Sequence, residues 1–540
     1  MSSHYQADIA IIGGGIAGIV CALELLNHGL SIIMLDADNE ERFGGLARES
    51  FGGILIVDTP EQKRAGIHDS AELALRDWLK FGDFGHDEKE EYFPRLWAES
   101  YINDSRTEIY DRLKSYGINF LPMPLWVERG LYGEGNSVPR WHVVWGTGQG
   151  LIASLTEALQ KHQNRNRLRI LFNHKVDALQ RRGGSVSGCS GTHTSDNKPF
   201  DVNADVVIIA AGGINGDLNA VRKHWHPEQQ PAPQIILNGS HRFADGTMHH
   251  AAAAQGANIT HLQNMWNYAA GIHHWKPQRE NHGLSIVPPK SALWLNARGE
   301  RIGPVPLVSG FDTRDLVTQI CRQPHGYSWQ LMNRTIAVKE MAISGAEFNH
   351  SIREKNKIAL LKDVLTGNAA LVDEMIKNSS DVITAQDYDE LAEKMSALSL
   401  NGEEVKAHTL RSVVEEYDAQ IARGERLFND EQLRRIAHLR QWRGDKMRTC
   451  RFQAIADKKA MPFIAVREFI ISRKSLGGIQ TDLSSRVLRN DSTAIDGLYA
   501  IGEAAGFGGG GCNGLRGLEG TFLGGCIYSA HRAAHSIVFG

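Results

Sequence analysis

Gly13, Gly15 and Gly18 stand in the spacing G-x-G-x-x-G, and an acid, Asp36, follows 18 residues after the last of them. Glycines so placed let a backbone close on a pyrophosphate, and an acid at that distance can hydrogen-bond a ribose hydroxyl. Near the other end, the stretch FGGGGCNGLRGLEGTFLGG (507–525) combines unusual backbone freedom with one arginine, Arg516, just before a helix-like run. Chain freedom of that kind suits close approach to a flat ligand, and a lone arginine between glycines has no packing role of its own.

These groups need elements to hold them. Residues 7–12 read as a short buried strand, residues after Gly15 as a helix to Asn27, and residues up to Asp36 as a second strand after a turn at His28-Gly29. Gly13 makes the tight turn, Gly15 admits the phosphates, and Gly18 lets helix and strand pack closely. The first amides of the helix, at Ile16 and Ala17, then face the phosphates at the positive end of the helix dipole. The unit is expected to bind a dinucleotide.

The rest of the composition sets bounds. The 540 residues exceed what one small core needs, so two or three domains are expected. With 42% hydrophobic and 22% charged residues and a net charge of −3, nothing points to nucleic acid as a partner. Six scattered cysteines form no CxxC pair and read as reduced thiols of a cytoplasmic protein. No secretory signal and no apolar run of about 20 residues stands out, so no membrane span is expected. His273, His274 and His282 lack metal-ligand spacing with acids, and no metal is expected.

Four further segments occur in a telling order: FGGLARESFGG (43–53), FNHKVDAL (172–179), ADVVIIAAGGINGD (204–217) and DGLYAIGEAAG (496–506). With these and the glycine motif, the chain resembles the FAD-dependent flavoproteins of the fumarate reductase and 3-ketosteroid dehydrogenase superfamily. Its overall phrasing is most similar to a group of bacterial FAD-binding dehydrogenases attached to the ketosteroid branch. The resemblance implies non-covalent FAD, since the histidine that attaches flavin in some relatives is missing from GGLARESFGG. Asp36 and Ala37 would meet the ribose and Val176 the adenine. Gly44, Gly45, Leu46, Ala47, Ser50, Gly52 and Gly53 would run along the flavin, with Ala211, Gly212 and Gly213 in the middle turn. Gly502 and Glu503 would serve the ribityl chain, and Gly520, Thr521 and Phe522 the pyrimidine end, where amides at a helix N-terminus stabilise negative charge on the reduced ring. No second GxGxxG unit is present for a nicotinamide, so an external electron acceptor or donor is expected.

The resemblance also implies the architecture: an α/β protein whose dinucleotide-binding (Rossmann-like) FAD domain, residues 1–262 and 452–540, carries an inserted α+β cap, residues 263–451. In the fumarate reductase branch an arginine after a VNxxGxRF turn delivers a proton; LNARGERI followed by DTRD puts Arg314 there. Arg516 falls on the arginine that grips a carboxylate. The branch's HPT and TExxRGxG segments are missing, and Arg473-Lys474-Ser475 replaces its late histidine pair. The aromatic content of the middle (Trp266, Tyr268, Trp275, Trp294, Tyr327, Trp329) suits a larger apolar ring substrate. In the ketosteroid branch a tyrosine handles the proton, and Tyr327 leads, with Tyr268 second. The expected activity is hydride transfer between flavin N5 and a carbon next to a carbonyl in an apolar cyclic ketone or enoate. The alternatives are an enoate reductase using an arginine acid, and a flavoprotein subunit or structural-FAD protein without turnover of its own.

Overall fold

Side chains along β1 (Ser3–Ile12) alternate between two cores, with Ile9 and Ile11 in one and Ala10 and Ile12 in the other. A strand buried on both faces belongs inside a parallel sheet. The computed structural model, which describes residues 3–540, builds that sheet. β1 pairs in parallel with β2 (Ile32–Leu35), β2 with β3 (Leu168–Leu171), and β1 on its other side with β4 (Pro199–Ile209). The crossover from β1 to β2 is α1 (Ile16–Asn27), which buries Ile16, Ile19, Val20 and Leu23 against the sheet. An antiparallel pair, His174–Arg182 and Ser185–His193, extends beside β4.

The second sheet is built around one long strand. β5 (Met265–His273), β6 (Tyr327–Asn333) and Val382–Ala385 all run antiparallel to β7 (Phe463–Ser475), while Ile236–Asn238 joins β7 in parallel. Between β5 and β6 lies α2 (Thr313–Cys321), which packs on β5. The pairing differs from the segment boundaries expected from the sequence. Residues 463–475, assigned with the FAD-binding portion from 452 onward, are the spine of the second sheet, and residues 236–238, assigned before 263, join it too. Nearly every position of β7 is buried, so its apolar pattern marks a central strand without saying of which sheet.

Beyond β7 the chain rejoins the first sheet through β8 (Arg486–Leu488) and β9 (Ala494–Ala500), which runs parallel to β4 with Leu498 opposite Val207. The glycine-rich stretch then leads into α3 (Thr521–Phe539), which packs along α1. Several helices follow between His350 and Arg448; in Ala407–Ala422 the residues Leu410, Val414 and Tyr417 face the core at helical spacing. Among the described residues no helix is long and apolar enough to cross a membrane.

Candidate active site

The glycines of the first turn have distinct steric reasons. Gly13 has φ +117°, and a Cβ there would lie 2.3 Å from the Ala210 carbonyl oxygen. A Cβ on Gly18 would lie 2.1 Å from the Gly13 oxygen, and one on Gly14 would lie 2.3 Å from Asp36 Oδ2. Gly15 is different: its φ is −74°, and a Cβ would meet nothing within 4 Å. Its open side faces a cavity of ≈ 360 Å³ that also exposes Ile16 and Ala17. No side chain caps α1, so its first-turn amides are left for an acceptor from outside the chain. That opening, at the positive end of a helix dipole, fits the pyrophosphate of FAD.

The same cavity is lined by Asp36, Ala37, Gly44, Gly45, Leu46, Ala47, Ser50, Gly52, Gly53, Val176, Ala211, Gly212, Gly213, Glu503 and Phe522. Gly44 bridges to Gly15 in parallel, with its amide donating to the Gly14 oxygen at 3.0 Å. Burial pushes the Asp36 carboxyl up, against the hydrogen bond its Oδ1 accepts from the Asp38 amide at 2.8 Å. Burial likewise raises Glu503 to about 7, although its Oε1 accepts from the Ser475 amide at 2.9 Å.

Four residues expected to hold the cofactor stand behind the cavity wall instead. Gly18 only permits packing of α1 on β1. Gly502, at φ +64°, accepts no side chain in the tight turn that aims Glu503, and its amide is held by Ser529 Oγ at 2.9 Å. Gly520 leaves room for Leu55, whose amide donates to its carbonyl at 3.0 Å. Thr521 spends its hydroxyl on Asn513 Oδ1 and the Leu518 oxygen, at 2.6 and 2.7 Å.

Of the groups expected to move protons, the structure brings one to the cavity. Tyr268, on β5, donates its hydroxyl to Glu519 Oε2 at 2.9 Å, and Trp266 Nε1 donates to the same oxygen at 3.1 Å. Burial, then the Glu519 charge, raises the phenol well above its ordinary value. Beside the pair, Lys474 Nζ lies 4.2 Å from the Phe522 ring centroid and 5.7 Å from that of Tyr268. Burial lowers this ammonium to about 8, although Glu519 opposes the shift. Glu128, also lining the cavity and 3% exposed, accepts from Thr313 N at 3.0 Å and from Thr313 Oγ1 at 2.5 Å. Burial, then the Asp312 charge, raises it to about 8.

The other three candidates lie elsewhere. Tyr327 is fully buried on β6, opposite Phe469 of β7 and edge-on to Trp329, inside the second sheet's core rather than at the cavity. Arg314 is one residue along α2 from the cavity-lining Thr313, so its side chain turns away by about 100°; it meets Glu228 Oε2 at 3.1 Å and His226 Nδ1 at 3.0 Å. Arg516 spans Asp312, 3.1 Å away, and Asp83. Of the six aromatics expected around the substrate only Tyr268 lines the cavity; the second-sheet wall instead sets the aliphatic Ile286, Val287, Pro288 and Leu316 among polar side chains such as Ser285, Lys290 and Ser309. Glu519 went unremarked although it is the one acid in its glycine-rich stretch, a usable signal. Glu128, in a loop without a motif, offered none. His273 and His274 pair with Asp381 and Glu347.

The FAD binding domain family matches residues 8–523 of the chain. A KsdD-like steroid dehydrogenase of Mycolicibacterium smegmatis is 40% identical over 539 residues, covering 96% of both chains. Two solved structures share the fold: a 3-ketosteroid delta1-dehydrogenase from Sterolibacterium denitrificans (TM-score 0.68, 14% identity, 98% of this chain and 99% of that one) and a flavocytochrome c3 fumarate reductase in an open conformation (TM-score 0.67, 18% identity, 98% and 78%). A glycine turn shaped for a pyrophosphate and a family match across nearly the whole length lead to one conclusion: the chain belongs to the FAD binding domain family and is an FAD-dependent oxidoreductase.

Proposed function

We propose that this flavoenzyme is a dehydrogenase acting on the CH–CH bond beside the carbonyl of an apolar ring ketone of steroid type. One observation carries the reading: a half-buried tyrosine–carboxylate pair, Tyr268 and Glu519, faces the cavity that the dinucleotide turn opens into. The similarity to a steroid dehydrogenase along 96% of both chains supports it. FAD, when bound, accepts the hydride. The chain must then take the proton from the carbon next to the carbonyl. Tyr268 Oη takes that proton as its own passes to Glu519 Oε2, so no charged phenolate is left in a dry site. Trp266 Nε1 holds the receiving oxygen in place, and Lys474 beside the pair offsets the negative charge.

In this reading the second sheet is a cap inserted into a Rossmann-like FAD domain, closing the site from water. The aliphatic side chains of Ile286, Val287, Pro288 and Leu316 suit a saturated ring skeleton. Electrons leave to an external acceptor, and the free thiols fit a cytoplasmic enzyme. A fumarate-type reductase is disfavoured because both arginines it would use are already paired with carboxylates.

Anaerobic mixing of the holoenzyme with saturated and unsaturated 3-ketosteroids, followed by the flavin's visible absorbance, tests the reading. Bleaching by a saturated ketone, lost in Tyr268→Phe and kept in Arg314→Lys, is expected. If no ketone bleaches the flavin while an enoate reoxidises the dithionite-reduced form, the reductase account replaces this one.

A further inference from the structure

The helix Lys357–Thr366 buries none of its residues. Ile358, Leu361 and Leu365 are 85%, 59% and 66% exposed. At intervals of three and four they form one apolar stripe roughly 10 Å long, flanked by Lys357 and Lys362. Met447, also exposed, lies on the helix Arg443–Arg448 packed beside it. A soluble face would carry polar side chains in that stripe, so an apolar one flanked by lysines calls for a covering surface.

Next to the stripe, and sharing Leu365 and Met447 with it, opens a second cavity of ≈ 800 Å³. Arg334, Lys339, Arg440, Lys446, Arg451 and Lys459 line it, and no aspartate or glutamate does. Arg334 reaches Asp373 at 2.8 Å, but among the described residues no ion pair engages Lys446, Arg451 or Lys459. Thr449, 2% exposed, lines the same cavity, and its Oγ1 is buried without a hydrogen-bond partner. Like charges gathered with few counter-charges repel one another, and an anion joining them would offset that repulsion. A phosphate group, with several acceptor oxygens, matches both the cations and the orphaned hydroxyl.

We propose that this face docks the enzyme on an anionic lipid surface, with a lipid phosphate in the cavity of Arg440, Lys446 and Thr449 and with Ile358, Leu361 and Leu365 in the acyl boundary. Each half of the face alone has a different occupant: a free phosphate would use the cavity and leave the stripe wet, and an apolar protein partner would cover the stripe and leave the cations unpaired. An anionic membrane surface satisfies both at once, because its phosphates and acyl chains lie at adjacent depths. The helix is too short to cross and lies in the interface plane. The inference stands apart from the proposed substrate, although an apolar ring ketone would be most concentrated at such a surface.

The FAD-loaded full chain is sedimented with vesicles of phosphatidylcholine alone and with vesicles of equal parts phosphatidylcholine and phosphatidylglycerol. The expected result is binding to the mixed vesicles only, weakened by salt. Leu361→Asp with Leu365→Asp, and separately Lys446→Glu with Lys459→Glu, should each reduce the bound fraction about tenfold while flavin absorbance stays unchanged. Equal binding of parent and variants to the mixed vesicles would overturn the proposal. So would thermal stabilisation by inorganic phosphate without vesicle binding, which would mark a site for a soluble phosphate. A concentration-dependent dimer broken by the leucine changes, with no vesicle binding, would assign the stripe to a second copy of the chain instead.

Discussion

Tyr268 Oη and Trp266 Nε1 converge on a single carboxylate oxygen, Glu519 Oε2, at 2.9 and 3.1 Å. Two donors on one oxygen fix the carboxylate's orientation and leave the phenol with one path for its proton. Tyr268→Phe should therefore keep the flavin and lower kcat for a ring ketone by about 10²–10⁴-fold, the usual contribution of a positioned acid–base group. Glu519→Gln preserves the acceptor geometry yet cannot take the proton, so its loss should be comparable. Steady-state turnover with an artificial acceptor measures both; activity within twofold of the parent in Tyr268→Phe would show that the proton travels elsewhere.

The glycine turn allows cofactor binding to be separated from folding. Gly15 is at φ −74° with open space where a Cβ would go, whereas a Cβ on Gly18 would lie 2.1 Å from the Gly13 oxygen. Gly15→Val should fold with near-parent circular dichroism but purify colourless, because its side chain fills the place of the pyrophosphate. Gly18→Val should fail to fold, since helix and strand cannot approach. A yellow Gly15→Val protein would mean that the phosphates approach another part of the turn.

How far the sequence reveals this protein depends on the range over which each residue's role is decided. The glycine turn and Asp36 are legible because strand, turn and helix are contiguous and each glycine answers to a neighbour only a few residues away or on the adjoining strand. Tyr327 and Tyr268 cannot be ranked in this way. Both sit on strands of one sheet, and whether a side chain meets the cavity or the core depends on which face the neighbouring elements cover. Arg314 shows the same limit on a helix, where Thr313 faces the cavity and the next residue turns to Glu228. β7 reads as a central strand, but its sheet is chosen by partners at 236–238, 265–273 and 327–333, far away in the chain.

Arg314 provides a sharp contrast between the two reaction types. Its guanidinium is 5% exposed and held by Glu228 Oε2 and His226 Nδ1, outside the cavity wall. Arg314→Lys should change turnover less than twofold, while weaker packing and a lost contact cost about 1 kcal/mol of stability. A reductase dependent on an arginine acid would instead lose orders of magnitude at saturating substrate. Parallel assays of turnover and of thermal midpoint distinguish a structural ion pair from a proton donor.

Glu128 should leave a signature in the pH dependence of stability. Burial raises its folded pKa to about 8, from an unfolded value of about 4.3. Between those values the unfolded chain has lost a proton that the folded one retains, so folding stability falls as pH rises through the window and levels off above about 8. The full span corresponds to roughly 5 kcal/mol as an upper bound, reduced by any water that reaches the site. Glu128→Gln retains an acceptor for the Thr313 amide at 3.0 Å and carries no titrating group. Its stability relative to the parent should therefore grow from pH 5 to pH 8, where the parent must hold a proton that solvent would take. Urea unfolding of both holoenzymes across that range measures the difference. Parallel curves would mean that the carboxylate is already ionised in the folded protein, with its charge balanced by water or by Arg516 on the far side of Asp312.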